Sequence, residues 1–175
     1  MNRRDYVALA AAGARAVIAC EPTASTAYVS PRQMSGPGGV FDRYAMHWNR
    51  RVREVDAELI FHCCGELNDD TVRRFGSLEP VILSLGSSRR LWEDAVLVPQ
   101  DVVLFGNLPS RKFFSDDEIT AAELTARMQA AGHPFILGSE CDILSVRGAH
   151  DVILRKVEAM LDAGPGRRGG HTGSA

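Results

Sequence analysis

The chain has 175 residues, of which 45% are hydrophobic and 24% are charged, and its formal net charge is −2. This composition is typical of one globular domain with a single core, and the interspersed charges form no basic stripe, so we expect no nucleic-acid partner. No apolar run approaches the roughly 20 residues that span a bilayer, so we expect no membrane association and a cytoplasmic location.

Five short apolar runs, partly β-branched, predict strands. In chain order they cover residues 16–20, 59–63, 81–85, 102–105 and 135–137. Helical patterns alternate with these runs, at residues 40–57, 69–75, 89–94, 115–131 and 148–161. Alternation of this kind, with strands that are nearly continuous in hydrophobicity, predicts an α/β fold with about five parallel strands, as in doubly wound sheets and (β/α)8 barrels.

Local features set several boundaries within this pattern. Ser115 followed by Glu118 is a capping box that predicts a helix start, and Gly132 predicts the end of the same helix. Residues 21–39 form a long loop after the first strand, where functional residues are common. Residues 163–175 have little to bury, so the predicted organisation is one domain over residues 1–162 and a disordered tail.

A histidine and two cysteines lie where predicted strands end. Residues two apart on a strand face the same side, so His62 and Cys64 share a face while Cys63 points to the other. Together with Cys141 they offer one imidazole and two thiolates, which suit zinc, and three protein ligands leave a fourth position open, as in catalytic sites. If a substrate thiol occupies that position, the metal favours the nucleophilic thiolate, and the expected reaction is alkyl transfer to sulfur.

The same residues also have an ordinary structural interpretation. Free cysteine is among the most buried residue types, and a histidine at a strand end can simply bond to backbone. Spacing alone leaves both interpretations open. Because two of the four cysteines are adjacent and a third shares a metal-type pattern with a histidine, we expect reduced thiols and not disulfides.

Several stretches, in the right order, resemble the uroporphyrinogen decarboxylase superfamily and, within it, the zinc-dependent methyltransferases that act on coenzyme M or similar thiols. The matching stretches are Ala12-Gly13-Ala14-Arg15-Ala16-Val17, Glu21-Pro22, Ser30-Pro31, Phe61-His62-Cys63-Cys64-Gly65, Leu104-Phe105-Gly106-Asn107-Leu108 and Ile136-Leu137-Gly138-Ser139-Glu140-Cys141-Asp142-Ile143-Leu144. The zinc motif of that branch is His-x-Cys followed much later by Cys. It falls here on His62, Cys64 and Cys141.

The resemblance implies a zinc enzyme that moves a methyl group from a methylated corrinoid, carried by a partner protein, to a thiol such as coenzyme M. Two alternatives within the superfamily are a porphyrinogen decarboxylase and a zinc enzyme that opens epoxides with a thiol. The decarboxylases use no metal and typically carry Gly-His-Gly near the last strand, where this chain has Ser139-Glu140-Cys141. A third alternative is a non-catalytic half-barrel that only associates with a partner.

Three other polar residues follow predicted strands. Glu21 could line the substrate pocket or approach the metal, although the family more often has aspartate there and a loop role fits equally well. Asn107 is either a pocket donor or a turn residue. Asp142 could orient the site from outside the ligand set or face solvent in a turn.

The chain is short for the barrel that the resemblance implies. A (β/α)8 barrel takes about 250 residues, whereas the resemblance begins partway through the family pattern and predicts only the C-terminal half of such a barrel. In a flat sheet the second and fifth strands lie about 14 Å apart, so their side chains could not share one ion. We therefore expect closure by another copy of the chain, by a separate N-terminal half-barrel or by a rearranged edge, since open edge strands are prone to association.

Overall fold

The computed structural model describes residues 3–35, 39, 41, 43, 52 and 54–164. A single sheet contains five strands in the order β1 to β5, and every neighbouring pair is parallel. The strands are β1 (Ala16–Cys20), β2 (Glu58–Cys63), β3 (Ile82–Leu85), β4 (Val103–Leu108) and β5 (Phe135–Ser139). The fold is α/β, as the alternating pattern predicts, and it has the architecture of half a (β/α)8 barrel, as the resemblance implies.

Helices connect and flank these strands. They are α1 (Arg3–Ala11), α2 (Pro31–Ser35), α3 (Asp69–Gly76), α4 (Leu91–Asp94), α5 (Ala121–Ala131) and α6 (His150–Asp162), with a 3-10 turn at Ser110–Phe113. The sequence patterns did not predict α1, nor α2 within the long loop after β1. The predicted helix at 40–57 lies mostly outside the described residues, and so do residues 165–175 of the predicted tail. No helix in the described part of the chain is long and apolar enough to cross a membrane.

The predicted start of α5 is wrong, whereas its predicted end is confirmed. The helix begins at Ala121, because Ser115 forms a local turn in which its Oγ accepts a hydrogen bond from the Asp117 N–H at 3.2 Å. Lys156 of α6 holds that turn, since its Nζ donates to the carbonyl oxygens of Ser115 and Asp117. At the other end Gly132 has a φ of 66°, the left-handed conformation that closes many helices.

One face of the sheet packs against the helices and forms the core. Leu59, Phe61 and Leu83 are almost fully buried on this face, and the Phe61 and Phe75 rings lie 4.8 Å apart between β2 and α3. On the opposite face Ile18 of β1 is 57% exposed and Ile136 of β5 is 43% exposed. That second face is the concave, inner face of the half-barrel, and it remains open to solvent along its apolar side chains.

Parallel pairing brings the carboxyl ends of all five strands to one edge of the sheet. Two strands extend further toward that edge than their apolar runs predict, β4 to Leu108 and β5 to Ser139, because the pairing of β4 with β5 continues through these residues. The loops after β1 to β5 therefore meet above the inner face, which is where parallel α/β proteins place their functional residues.

Candidate metal centre

The three predicted ligands lie together at the carboxyl edge of the sheet. His62 is the penultimate residue of β2, Cys64 follows that strand directly, and Cys141 lies two residues beyond β5. One donor atom from each residue lies within 4.8 Å of the other two. Cys63, in contrast, is fully buried on the helix-facing side, as the alternation along β2 predicts.

This convergence does not need closure of the barrel, contrary to the expectation from strand spacing. The chain leaves β5 in a tight turn, in which Ser139 Oγ donates a hydrogen bond to the carbonyl oxygen of Cys141 at 2.7 Å. Cys141 is therefore contributed by the loop beyond β5 and not by the strand itself. The loop brings its thiol within reach of Cys64, although two strands lie between β2 and β5.

The ring of His62 is fixed by Ser84, a residue that sequence reasoning missed. Nδ1 of His62 lies 2.8 Å from Ser84 Oγ, and Ser84 is the register partner of His62 on β3. Ser84 is only 4% exposed, so this contact lies out of solvent. Because Nδ1 makes this hydrogen bond, Nε2 is the ring nitrogen that can bind a metal ion. A single polar residue in the apolar run 81–85 was the available sequence signal.

Cys64 packs against the loop after β3, where Gly86 allows a close approach. A Cβ at position 86 would lie 2.5 Å from the Cys64 carbonyl oxygen and 2.9 Å from its Cα, so no other residue fits without displacing Cys64. Asn107 holds this loop, because its Nδ2 donates to the carbonyl oxygens of Gly86 and Arg89 at 2.8 Å each. Both amide protons of Asn107 are thus used to hold the loop after β3.

Glu140 joins three loops beside Cys141. Its carboxylate accepts hydrogen bonds from the backbone N–H groups of Ser87 at 2.7 Å and Ser110 at 3.1 Å. Its own N–H donates to the carbonyl oxygen of Leu108 at 2.8 Å. The loops after β3, β4 and β5 are therefore tied to one another at the residue that precedes Cys141. Sequence reasoning assigned Glu140 no role.

Glu21 and Asp142, the other two polar residues considered from the sequence, lie in different places. Glu21 follows β1, where its backbone N–H donates to the carbonyl oxygen of His62 at 2.9 Å. Its carboxylate belongs neither to the three-donor cluster nor to the described lining of the cavity below. Asp142 does line that cavity. Its negative charge also opposes the lowering of the His62 pKa.

Burial and neighbouring charge set the protonation of the site. Burial lowers the pKa of His62 below its usual value, so the ring is neutral near pH 7, the form that binds metal. Burial, reinforced by the charge of the neighbouring Cys141, raises the pKa of the Cys64 thiol. Burial also raises the pKa of Cys63 to about 11, which leaves that thiol protonated and inert on the core side.

A cavity of about 520 Å³ lies over the inner face and opens beside the three donors. Its floor is apolar and its rim is polar. The lining residues include Ile18, Ile60, Ile82, Ser84 and Phe105 on the strands and Glu140 and Asp142 in the loop after β5, together with Cys20, His62, Cys64 and Cys141. A pocket with an apolar body and a few converging polar groups is typical of small-molecule sites.

The donor set fits zinc in chemistry and in spacing. Zinc binds nitrogen at about 2.0 Å and sulfur at about 2.3 Å in a tetrahedron, which places its ligand atoms roughly 3.5 to 3.8 Å apart. Donor atoms that already lie within 4.8 Å reach this spacing through side-chain shifts of about 1 Å. His62 Nε2 and the Cys64 and Cys141 thiolates would then hold three of the four positions.

Comparison with known proteins reveals a fold relative. No protein-family model matches the sequence, and no curated protein matches it significantly. Among solved structures, a methyltransferase from Methanosarcina mazei matches 91% of this chain with a TM-score of 0.62 at 13% sequence identity. The chain covers 47% of that protein and thus spans about half its length. At this identity the likeness establishes a shared fold: the chain has the architecture of one half of the methyltransferase.

Proposed function

We propose that the chain is the metal-binding half of a zinc-dependent methyltransferase that transfers a methyl group from a methylated corrinoid to a thiol. The convergence of His62, Cys64 and Cys141 to within 4.8 Å carries this proposal. A methyltransferase that shares the fold supports methyl transfer as the reaction class. The thiol acceptor and the corrinoid donor rest on the resemblance of the His-x-Cys and later Cys motif to that branch of the uroporphyrinogen decarboxylase superfamily.

The residues of the site have separate roles in this proposal. His62, Cys64 and Cys141 would hold the metal and leave one position for the acceptor. Zinc, when bound, would favour the deprotonated and nucleophilic form of a thiol in that position. Ser84 keeps the His62 ring in one orientation, and contacts of this kind typically change metal affinity by about 10- to 100-fold. The apolar cavity floor offers hydrocarbon contact to the carbon chain of the acceptor.

The methyl donor and the rest of the barrel would come from partners. We propose that a corrinoid protein delivers the methyl group from the open side of the cavity. We also propose that a second copy or a separate N-terminal half covers the inner face. Ile18 and Ile136 on that face are 57% and 43% exposed, and the methyltransferase with the shared fold is about twice as long as this chain. Covering these side chains would remove apolar area from water, which favours association.

The direct test is methyl transfer by the zinc-loaded chain. Incubation with methylcobalamin and a small thiol should form the methyl thioether and release cob(I)alamin and the thiol proton, at a rate well above that with free zinc. Mass spectrometry measures the thioether. Cys64→Ala should abolish the reaction because it removes a ligand, whereas Cys63→Ala should retain it because Cys63 faces the core.

The outcomes separate the alternatives. If the zinc-loaded chain consumes an epoxide and a thiol but leaves methylcobalamin intact, the epoxide enzyme is the correct assignment. If it catalyses neither reaction, the proposal of methyl transfer is wrong.

A further inference from the structure

Two of the three donor residues are cysteines, and they differ in how open they are to solvent. Cys141, in the loop after β5, is exposed, whereas Cys64 is partly buried. Both thiols are free, and their sulfur atoms lie within 4.8 Å of each other. A disulfide bond is about 2.05 Å long, so the sulfurs would have to approach by at most about 3 Å. Rotation of a cysteine side chain between staggered χ1 positions moves its sulfur by about that distance.

The other two cysteines are less suited to a bond with Cys141. Cys63 is fully buried on the helix-facing side of β2, so its thiol faces away from the cavity. Cys20, at the end of β1, is exposed and lines the same cavity, but its sulfur does not belong to the three-donor cluster. Cys64 is therefore the expected partner of Cys141, and Cys20 is the competing thiol.

Exposure also decides which sulfur an oxidant reaches first. Thiols oxidise according to their access and their thiolate character, and cysteines that sense oxidants often have a second thiol beside them. Cys141 has the access, and Cys64 is the neighbouring thiol. The hydrogen bond from Ser139 Oγ engages the carbonyl oxygen of Cys141 and not its thiol, so it holds the loop without blocking the sulfur.

We propose that the donor cluster is also a redox switch, in which a peroxide oxidises Cys141 of the metal-free chain and Cys64 then closes a disulfide with it. The Cys141 sulfur attacks hydrogen peroxide, the O–O bond breaks, and a sulfenic acid and one water result. The Cys64 sulfur displaces the hydroxyl group, which leaves as a second water. Overall, two thiols and one peroxide give one disulfide and two waters.

This disulfide and a bound zinc ion exclude each other. The bond consumes both sulfur donors and leaves His62 as the remaining member of the cluster, so the oxidised chain should not hold zinc. Zinc in turn holds both sulfurs and should protect them from the peroxide. As regulation of the zinc centre the inference rests on the proposed function, whereas the disulfide itself needs only the two thiols.

Peptide mapping after oxidation tests the proposal. The zinc-free and the zinc-loaded chain are exposed to an equimolar amount of hydrogen peroxide, the remaining thiols are alkylated, and tryptic peptides are measured by mass spectrometry. The expected product joins peptide 54–73, which contains Cys64, to peptide 128–147, which contains Cys141. Saturating zinc should slow its formation by at least about tenfold, because oxidation then proceeds through the zinc-free fraction. Reduction with dithiothreitol should restore zinc binding.

Matched variants identify the partner of Cys141, since Cys63 and Cys64 lie in the same peptide. Cys64→Ala should abolish the link to peptide 54–73, and Cys63→Ala should retain it because Cys63 faces the core. A parent chain that links peptide 128–147 mainly to peptide 16–32, which contains Cys20, would contradict the proposed pair. Oxidation of Cys141 without any cross-link would contradict the switch. If the link forms but zinc neither binds nor slows it, the disulfide stands and the proposed function loses its metal centre.

Discussion

Each of the three donor residues is positioned by contacts with other parts of the chain. Ser84 of β3 orients the His62 ring, Gly86 leaves room for Cys64, and Glu140 ties the loop of Cys141 to its neighbours. Residue type and the alternation along β2 made His62 and Cys64 candidates, and the resemblance to the zinc methyltransferases added Cys141 to the set. Their supports were not, since Ser84 and Gly86 become neighbours of the site only through strand pairing, which no local pattern encodes.

Gly86→Ala tests this positioning at the level of a single atom. The added Cβ would overlap the backbone of Cys64, so the cysteine must shift by several tenths of an ångström and zinc affinity should fall at least about tenfold. The measurement is competition with a chelator of known zinc affinity.

The control for this variant is Gly132→Ala. Gly132 has a φ of 66°, and a Cβ there would meet no atom within 4 Å, so the substitution should cost about 1 kcal/mol of stability through backbone strain and leave zinc affinity unchanged. Equal zinc affinity in the parent and in Gly86→Ala would show that the contact with Cys64 does not position the ligand.

At the scale of elements, strands were predicted better than helix starts. The apolar runs located all five strands of the described sheet to within a few residues at each end, because a buried parallel strand needs a continuous apolar segment. The start of α5 was misplaced by six residues, since Ser115 and the residues after it form a turn whose carbonyl groups bind Lys156 from α6. A capping box is a local sequence pattern. The conformation of this segment is set instead by Lys156, which is distant in sequence.

Lys156→Met tests that tertiary contact. The Nζ of Lys156 donates to the carbonyl oxygens of Lys112, Ser115 and Asp117, and so it attaches α6 to the loop between β4 and α5. Loss of these charge-assisted hydrogen bonds should lower the free energy of unfolding by about 2 kcal/mol in urea denaturation. Arg155→Met on the exposed side of the same helix is the control and should change stability by less than about 0.5 kcal/mol. An equal effect of both substitutions would contradict the anchoring role of Lys156.

At the scale of the whole molecule, the chain forms half of a barrel and still assembles the donor cluster by itself. The five strands leave the inner face open, with Ile18 and Ile136 exposed, yet the loop after β5 brings Cys141 to His62 and Cys64. Strand spacing in a flat sheet could not predict this convergence, because it depends on where a loop turns back. We therefore expect metal binding to be a property of the chain by itself.

The zinc content of the purified chain tests this account most directly, measured by elemental analysis in the parent and in the matched variants Cys64→Ala and Cys63→Ala. The two cysteines are adjacent, but one belongs to the donor cluster and the other is buried in the core. We predict one zinc per chain in the parent and in Cys63→Ala, and loss of the metal in Cys64→Ala. A parent chain that folds without zinc, or zinc that remains in Cys64→Ala, would contradict the metal centre on which the proposed function depends.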